Sequence, residues 1–194
     1  MFTGIITDLG EVVSFTGSRL QVRTRWEVAP IPLGASVACD GTCLTVVEKN
    51  GQILAFDVSA ETLAKTTLGS WQPGRRINLE RPVQVGGEFG GHFVTGHVDA
   101  VGQVAAVIAQ QDFTLLEITV PEALKTYFAP KGSVAINGVS LTVNAVADLT
   151  LSLTLIPHTA QETNLGTLKT GDAVNLEVDL IARYIAPYLE KARA

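Results

Sequence analysis

SVACDGTCLTV, at residues 36–46, and SVAINGVSLTV, at residues 133–143, are two copies of one segment within a chain of 194 residues. They are displaced by 133 − 36 = 97 positions. Three further pairs of blocks recur in the same order and at nearly the same spacing: TGIITDLGEV with TGHVDAVGQV (3–12 and 95–104), ETLAKTTLG with HTAQETNLG (61–69 and 158–166), and GRRINLE with GDAVNLE (74–80 and 171–177). Four ordered blocks predict a fold that is duplicated within the chain.

Each copy consists mainly of short strands. Runs rich in Val, Ile, Leu and Thr alternate with Gly, Asn and Asp, and Asn50-Gly51 between two apolar runs predicts a hairpin. Brief helices are predicted in SAETLAKTTLG, PHTAQETNLG and PEALKTYF, where Pro121 suits a first helical turn. About six strands and a small helix in each copy favour a closed antiparallel barrel, because closure removes exposed strand edges.

The predicted fold class is therefore all-β, with two tandem, homologous, six-stranded antiparallel barrels of Greek-key-like connection and a helix at the C-terminus. The join falls near RPVQVGGEFGGH, where glycines cluster after the first NLE block. We expect a first barrel over residues 1–87, a second over 88–179, and a separate helix over 180–194.

The composition narrows the functional classes. The formal charge is −5, whereas nucleic-acid-binding proteins usually present a basic face. The chain has no apolar run long enough for a membrane helix and no signal-peptide pattern at its start, so a cytoplasmic location is expected and the two cysteines are expected to be reduced. Neither a GxGxxG nor a P-loop motif occurs, so neither a dinucleotide nor a nucleoside triphosphate is indicated.

The last segment, LIARYIAPYLEKARA, belongs to neither copy. Ile181, Tyr184, Ile185 and Tyr188 recur with helical spacing along one face, and Pro187 is expected to bend or divide the helix. The residues alone leave two interpretations open. The helix either caps its own barrel or forms a contact between chains.

Cysteine and histidine side chains are the first candidates for a functional site. Cys39, Cys43, His92 and His97 include the ligand types of a zinc site. However, residues five apart in a strand point to opposite faces, so the two histidines are expected to diverge and the metal interpretation is disfavoured. Cys39 corresponds to an isoleucine in the second copy and is expected to be a buried apolar residue.

Other positions differ between the copies in chemical character. Cys43 corresponds to Ser140, and both can form hydrogen bonds or transfer protons near a ligand, although a pair of small buried residues is the simpler alternative. Four more pairs differ: Ile5 and His97, Gly34 and Lys131, Glu61 and His158, Pro82 and Asp179. Together these differences indicate two related pockets with unequal roles, suited to two copies of one ligand or to one pseudo-symmetric ligand.

The chain resembles the riboflavin synthases. The resemblance rests on MFTGII, GASVACDGTCLTV, GGHFVTGHVDAVG, KGSVAINGVSLTV and VNLEVDLIARY, in this order across nearly the whole chain. It implies two six-stranded barrels that each hold one 6,7-dimethyl-8-ribityllumazine, and a terminal helix that joins three chains in a homotrimer. It implies no metal and no redox cofactor, since the substrate is both donor and acceptor.

The resemblance also implies the residues that meet the ligand. For the first barrel these are Gly4, Ile5, Ile6, Cys43, Leu44, Thr45, Asp57, Val58, Ser59, Ala60, Glu61 and Thr62. For the second barrel they are Gly96, His97, Val98, Lys131, Ser140, Leu141, Thr142, Thr154, Leu155, Ile156, Pro157, His158 and Thr159.

The catalytic candidates are Cys43, Ser140 and His97. The first two, or water, could add to the substrate ring, and His97 could transfer a proton near neutral pH. His92 is expected to support the junction between the barrels. Asn137 replaces an aspartate of some family members, so it is given no proton-transfer role. The alternatives are a lumazine- or flavin-binding protein without activity, such as an optical antenna, and a flavin-binding barrel of the reductase type.

Overall fold

All strands in the computed structural model, which describes residues 1–193, belong to two closed barrels of six antiparallel strands. The first barrel contains β1 (Asp8–Thr16), β2 (Arg19–Arg23), β3 (Ser36–Cys39), β4 (Thr42–Asn50), β5 (Ile53–Asp57) and β6 (Arg76–Glu80). The second contains β7 (Ala100–Ala109), β8 (Thr114–Thr119), β9 (Ser133–Ile136), β10 (Val139–Ala147), β11 (Thr150–Leu155) and β12 (Ala173–Val178). The predicted fold class is confirmed.

Both barrels close in the same order. The first runs β1-β2-β5-β4-β3-β6, and the second runs β7-β8-β11-β10-β9-β12. A short helix follows the fifth strand of each barrel, α1 (Ala60–Lys65) and α2 (Pro157–Glu162), and each is continued by a 3₁₀ turn, Thr67–Ser70 and Asn164–Thr167. The internal repeat seen in the sequence is therefore a repeat of whole barrels.

The repeated DG and NG pairs form the tight turns between β3 and β4 and between β9 and β10. Asp40 and Gly41 have φ of 42° and 78°, and Asn137 and Gly138 have φ of 46° and 78°. Positive φ at both central residues is the type I′ geometry of two-residue hairpins. The two turns also lie against each other, and a Cβ added to Gly41 would lie 2.6 Å from the backbone nitrogen of Gly138.

The hairpin predicted at Asn50-Gly51 is present, but its turn lies one residue later. Asn50 pairs with Ile53, so Gly51 and Gln52 form the loop. The predicted helix at PEALKTYF is a 3₁₀ helix over Glu122–Tyr127 with Pro121 at its N-cap.

Each barrel encloses its own apolar core. Side chains that alternate along the strands fill the interior, as Leu44, Val46, Leu54 and Phe56 do in the first barrel. A third, smaller cluster lies between the barrels and contains Phe2, Ala38, Val94 and Ala135. Because the barrel interiors are filled, a ligand of either barrel must bind on an outer surface.

The C-terminal helix, α3 (Leu180–Arg193), runs through Pro187 without the predicted division. Several of its apolar side chains are exposed, among them Ile181, Tyr184, Ile185 and Tyr188. No helix among residues 1–193 is long and apolar enough to span a membrane.

Candidate active site

Two crossing segments, residues 3–6 and 95–98 at the start of each copy, each reach the opposite barrel. Phe2 and Val94 form an isolated antiparallel bridge between the barrels. Beyond this bridge, the backbone N–H of Ser140 in β10 donates to the carbonyl of Gly4 at 2.9 Å, and that of Cys43 in β4 donates to the carbonyl of Gly96 at 2.8 Å. Ile6 accordingly packs against the core of the second barrel.

This crossing corrects the grouping of site residues. The grouping expected from the resemblance placed residues 4–6 with Cys43 and residues 96–98 with Ser140, and it is wrong. The structure places residues 4–6 beside Ser140 and residues 96–98 beside Cys43. The repeat could not reveal this exchange, because the same local sequence suits docking on either barrel.

Glycine is required at the centre of both crossing segments. Gly4 and Gly96 have φ of +79° and +80°, a region that disfavours residues with a Cβ. A Cβ at Gly4 would lie 2.6 Å from Cβ of Ser140, and one at Gly96 would lie 2.5 Å from Cβ of Cys43. Each glycine therefore allows the backbone to lie directly on the strand that carries a candidate reactive side chain.

Two buried carboxylates hold the crossing segments in place. Glu80 accepts hydrogen bonds from the backbone N–H and hydroxyl of Thr3, at 2.7 and 2.8 Å, and from the backbone N–H of Gly4 at 3.0 Å. Glu177 receives the equivalent bonds from Thr95 and Gly96, at 2.7, 2.6 and 2.9 Å. Neither glutamate was among the predicted site residues, although both are the last residue of the repeated NLE block.

In the first site, Cys43 is half-buried where β4 begins, next to Gly96. Asp57, one of the residues predicted for this site, ends β5 and pairs with Arg19 at 2.8 Å. Ser59 caps α1 by accepting a hydrogen bond from the backbone N–H of Thr62. Cys39 has no exposed surface, and burial raises the pKa of its thiol well above the usual value. The prediction that Cys39 is a buried apolar residue is confirmed.

In the second site, Ser140 has a partner that the sequence did not indicate. Its Oγ lies 2.7 Å from Nδ1 of His92, which is 8% exposed. Burial lowers the pKa of His92 below its usual value, against the opposing effect of the Asp179 carboxylate. The neutral imidazole is therefore favoured at neutral pH, and His92 can accept a proton from the Ser140 hydroxyl.

The two histidines lie in different sites. His92 was expected only to support the junction, but it contacts Ser140, whereas the side chain of His97 is exposed in the segment next to Cys43. Comparison of the repeats could not identify His92, because its counterpart at 92 − 92 = 0 would precede the first residue.

The remaining predicted residues fall into two groups that differ in the burial of their side chains. Four lie in the barrel cores, so that only their backbone could face a ligand: Leu44, Val58, Leu141 and Leu155. The others are half-buried or exposed: Ile5, Val98, Thr45, Ala60, Glu61, Lys131, Thr142, Thr154, Ile156, Pro157, His158 and Thr159. Lys131 has a φ of 69° and donates its backbone N–H to Val143, while the Thr154 hydroxyl accepts from Asn144 at 2.7 Å.

The four cysteine and histidine side chains do not form a metal centre. Cys43 and His92 lie in different sites, and Cys39 is sealed in a core. Within residues 1–193, no group of three or more His, Cys, Asp or Glu side chains is placed to hold a metal ion.

The sequence of each barrel matches a known ligand-binding domain. Residues 3–82 and 95–179 match the lumazine binding domain, so the chain is a tandem pair of lumazine-binding domains. It is 45% identical to the riboflavin synthase of Brucella abortus over 195 residues, covering 96% of both chains. It is 39% identical to that of Mycobacterium bovis over 201 residues, covering 99% of this chain and all of the other. The chain belongs to the riboflavin synthase family.

Solved structures of similar fold hold related ligands. LumP in complex with riboflavin superposes with a TM-score of 0.82 at 26% identity, covering 92% of this chain and 99% of the other. LumP in complex with 6,7-dimethyl-8-(1'-D-ribityl) lumazine gives a TM-score of 0.79 at 25% identity with the same coverage.

Proposed function

We propose that this protein is a transferase that converts two molecules of 6,7-dimethyl-8-ribityllumazine into riboflavin and 5-amino-6-(D-ribitylamino)uracil. The observation that carries the proposal is the pair of crossed sites. Each places a half-buried polar side chain, Cys43 or Ser140, beneath the carbonyl of a glycine held by a buried glutamate. Membership of the riboflavin synthase family supports the same activity.

Two substrates must meet for the reaction to occur, and we propose that they stack between chains. Both candidate sites lie on outer barrel surfaces and remain partly open in one chain, as expected for sites that close against a neighbour. Holding two rings in register makes the transfer of a four-carbon unit effectively intramolecular. The products together contain the atoms of two substrate molecules, so the reaction needs no external oxidant or reductant.

The side chains present suit the proton transfers that this reaction needs. The methyl group at C7 of the lumazine is acidic, because its anion is delocalised over the ring system, so a weak base suffices. We propose that His92, through the Ser140 hydroxyl, accepts or returns a proton at the second site. Cys43, Ser140 or water adds to C7 of the acceptor molecule and is eliminated again when the four-carbon unit is transferred, so that neither product retains it. His97 exchanges protons beside Cys43.

The remaining predicted residues are proposed to hold the substrates. Thr45 and Thr142 occupy outward positions on β4 and β10, next to Leu44 and Leu141 whose backbone is available to a ring. The starts of α1 and α2 and the exposed Lys131 are proposed to bind the ribityl hydroxyls.

Incubation of the purified protein with 6,7-dimethyl-8-ribityllumazine tests the activity directly. We expect riboflavin absorbance to appear without added metal. Binding of the lumazine without riboflavin formation, at any protein concentration, would instead identify a binding protein and reject the proposed enzyme.

The two cysteines offer a matched pair of variants for the same assay. Cys43→Ser is expected to lower kcat by at least roughly tenfold, because the thiol is lost from the site. Cys39→Ser alters a residue that no ligand can reach, so its kcat per folded molecule is expected to change little. Equal losses in both variants would contradict the role given to Cys43.

A further inference from the structure

Arg183, on the first turns of α3, is bound to the segment that covers Cys43. Its guanidinium makes two contacts of 2.8 Å with the Asp99 carboxylate, one to each oxygen, and its Nη2 also donates to the carbonyl of His97 at 3.3 Å. The side chains of Arg183 and Asp99 are 29% and 14% exposed, so the pair is largely shielded from water. Such a two-point contact fixes orientation as well as distance.

Asp99 is itself fixed to the barrel. Its carboxylate accepts from the backbone N–H of Val178 at 2.8 Å, and its own N–H donates to Leu176. Since Glu177 holds Thr95 and Gly96, the segment 95–99 is attached at one end to β12 and at the other to α3. The carbonyl of Gly96 then accepts from the N–H of Cys43, which continues the connection from α3 to the first site.

The other site lacks this connection. The counterpart of Asp99 in the first copy is Thr7 (99 − 92 = 7), whose hydroxyl makes only a 3.5 Å contact with the carbonyl of Leu79. In addition, β6 is followed by an irregular linker and not by a helix. The site at Ser140 is therefore not tied to α3 in this way.

We infer that Arg183 is a positioning residue for the ligand site around Cys43, and that it makes the geometry of this site depend on the C-terminal helix. The identity of the ligand rests on the proposed function. The connection between α3 and the Cys43 site does not depend on the ligand, because it consists of the contacts from Arg183 to Asp99 and from Gly96 to Cys43.

The reactivity of the Cys43 thiol reports this geometry without any ligand. The chain has two cysteines, and Cys39 is sealed in the first barrel, so iodoacetamide labels Cys43 selectively. In Arg183→Met and Asp99→Asn, release of the segment 95–99 is expected to raise the labelling rate at Cys43 roughly fivefold, as local opening becomes more frequent. Arg183→Lys, which keeps the charge but not the two-point contact, is expected to give an intermediate rate.

Lys125→Met is the matched control, since it removes an exposed ion pair with Asp148 from the same barrel, and the Lys125 side chain makes no hydrogen bond or ion pair with the described residues of 95–99 or α3. Its labelling rate is expected to equal that of the wild type. Unchanged Cys43 labelling in both Asp99→Asn and Arg183→Met overturns the inference. Faster labelling of Cys39 as well would indicate general loosening and would also overturn it. Asp99→Asn keeps the size and shape of the side chain, so it provides the test if Arg183→Met does not fold.

Ligand binding separates this inference from the proposed function. Titration with riboflavin is expected to show weaker binding at one of two sites in Arg183→Met, with the other site unchanged. Accelerated labelling of Cys43 in a protein that binds no riboflavin or lumazine would reject the proposed function but support the positioning role. Equal weakening of both sites would count against a connection specific to Cys43.

Discussion

At the scale of single residues, the buried turns that meet between the barrels carry an aspartate in one copy and an asparagine in the other. Asp40 and Asn137 occupy equivalent turns and are both fully buried. Asp40 Oδ1 accepts from the backbone N–H of Asn78 and from the side chain of Asn164, at 2.7 and 2.8 Å, while Oδ2 lies 3.6 Å from Arg75. Burial outweighs these contacts and raises the pKa of Asp40 to about 7. Ionisation of the Asp40 carboxyl group is therefore unfavourable in the folded protein.

Asp40→Asn is expected to stabilise the protein at pH 8. The pKa of Asp40 is about 7 in the folded state and near 3.8 in the unfolded chain, so the folded state binds the extra proton between these values. Its contribution to the free energy of unfolding therefore falls as the pH rises through this window, by up to about 1.4 kcal/mol per pH unit. In urea unfolding at pH 5 to 8, the variant is expected to lose this slope and to exceed the wild type at pH 8.

Asp8→Asn is the control with the opposite sign. Burial alone would raise the pKa of Asp8, but hydrogen bonds from Thr24 and Arg25 outweigh it and lower the pKa below the usual value. This carboxylate stabilises the fold above its unfolded pKa, and the stabilisation is lost as the pH falls through the folded pKa. Asp8→Asn should therefore be less stable than the wild type at pH 8. A loss of stability in both variants would contradict the assignment for Asp40.

At the scale of elements, the crossing segments determine which residues share a site. Each is short and irregular, and each depends on a glycine at positive φ, a buried glutamate in the last strand of its own barrel, and a hydrogen bond to the opposite barrel. Each candidate site is therefore built from both copies of the repeat. Neither barrel could form a complete site of this kind alone.

Gly96→Ala tests the close approach of the second crossing segment to β4. A Cβ there meets Cβ of Cys43 at 2.5 Å in addition to the cost of positive φ. Gly17→Ala is the matched control, because Gly17 also has a positive φ, +60°, but a Cβ would meet nothing within 4 Å. We expect Gly17→Ala to cost about 1 kcal/mol of unfolding free energy and Gly96→Ala several times more, with loss of riboflavin formation. Equal costs in urea unfolding would refute the close-packing explanation.

At the scale of the whole molecule, α3 has an apolar face that is exposed to solvent in a single chain. Tyr184 and Tyr188 are 66% and 72% exposed, and Ile181, Ile185 and Leu189 are at least half exposed. An amphipathic helix with this much exposed apolar surface is typical of an interface between chains. We propose that this face joins three copies and brings a site at Cys43 opposite a site at Ser140.

Full-length Tyr184→Glu is expected to dissociate this assembly while Arg183 stays in place. Sedimentation at micromolar concentration should give the mass of a monomer, and riboflavin formation should fall in parallel, since stacked substrates would no longer meet. Truncation after Asp179 is also expected to give a monomer, although it removes Arg183 as well. A trimer that persists in the truncated chain would show that α3 is not the assembly element.

Much of the fold follows from patterns that are local in the sequence. Strand alternation, the DG and NG turns and the recurrence of four blocks predict two barrels, because side-chain direction in a strand and positive φ in a turn depend on immediate neighbours. Comparison of the two copies separates the buried Cys39, which corresponds to an isoleucine, from the half-buried Cys43, which corresponds to Ser140. The errors at this level are small, such as the one-residue shift of the hairpin at Asn50.

The order and spacing of the repeated blocks are enough to predict two barrels with their strands and turns, and the riboflavin synthase family to which the chain belongs. Three pairings become visible only in the folded chain: residues 4–6 lie beside Ser140, residues 96–98 lie beside Cys43, and His92 contacts Ser140. These pairings join residues that are 48 to 136 positions apart in the chain. A repeated segment has the same local preferences in either copy, so only long-range contacts, among them the bridge between Phe2 and Val94, distinguish one barrel from the other as its docking site.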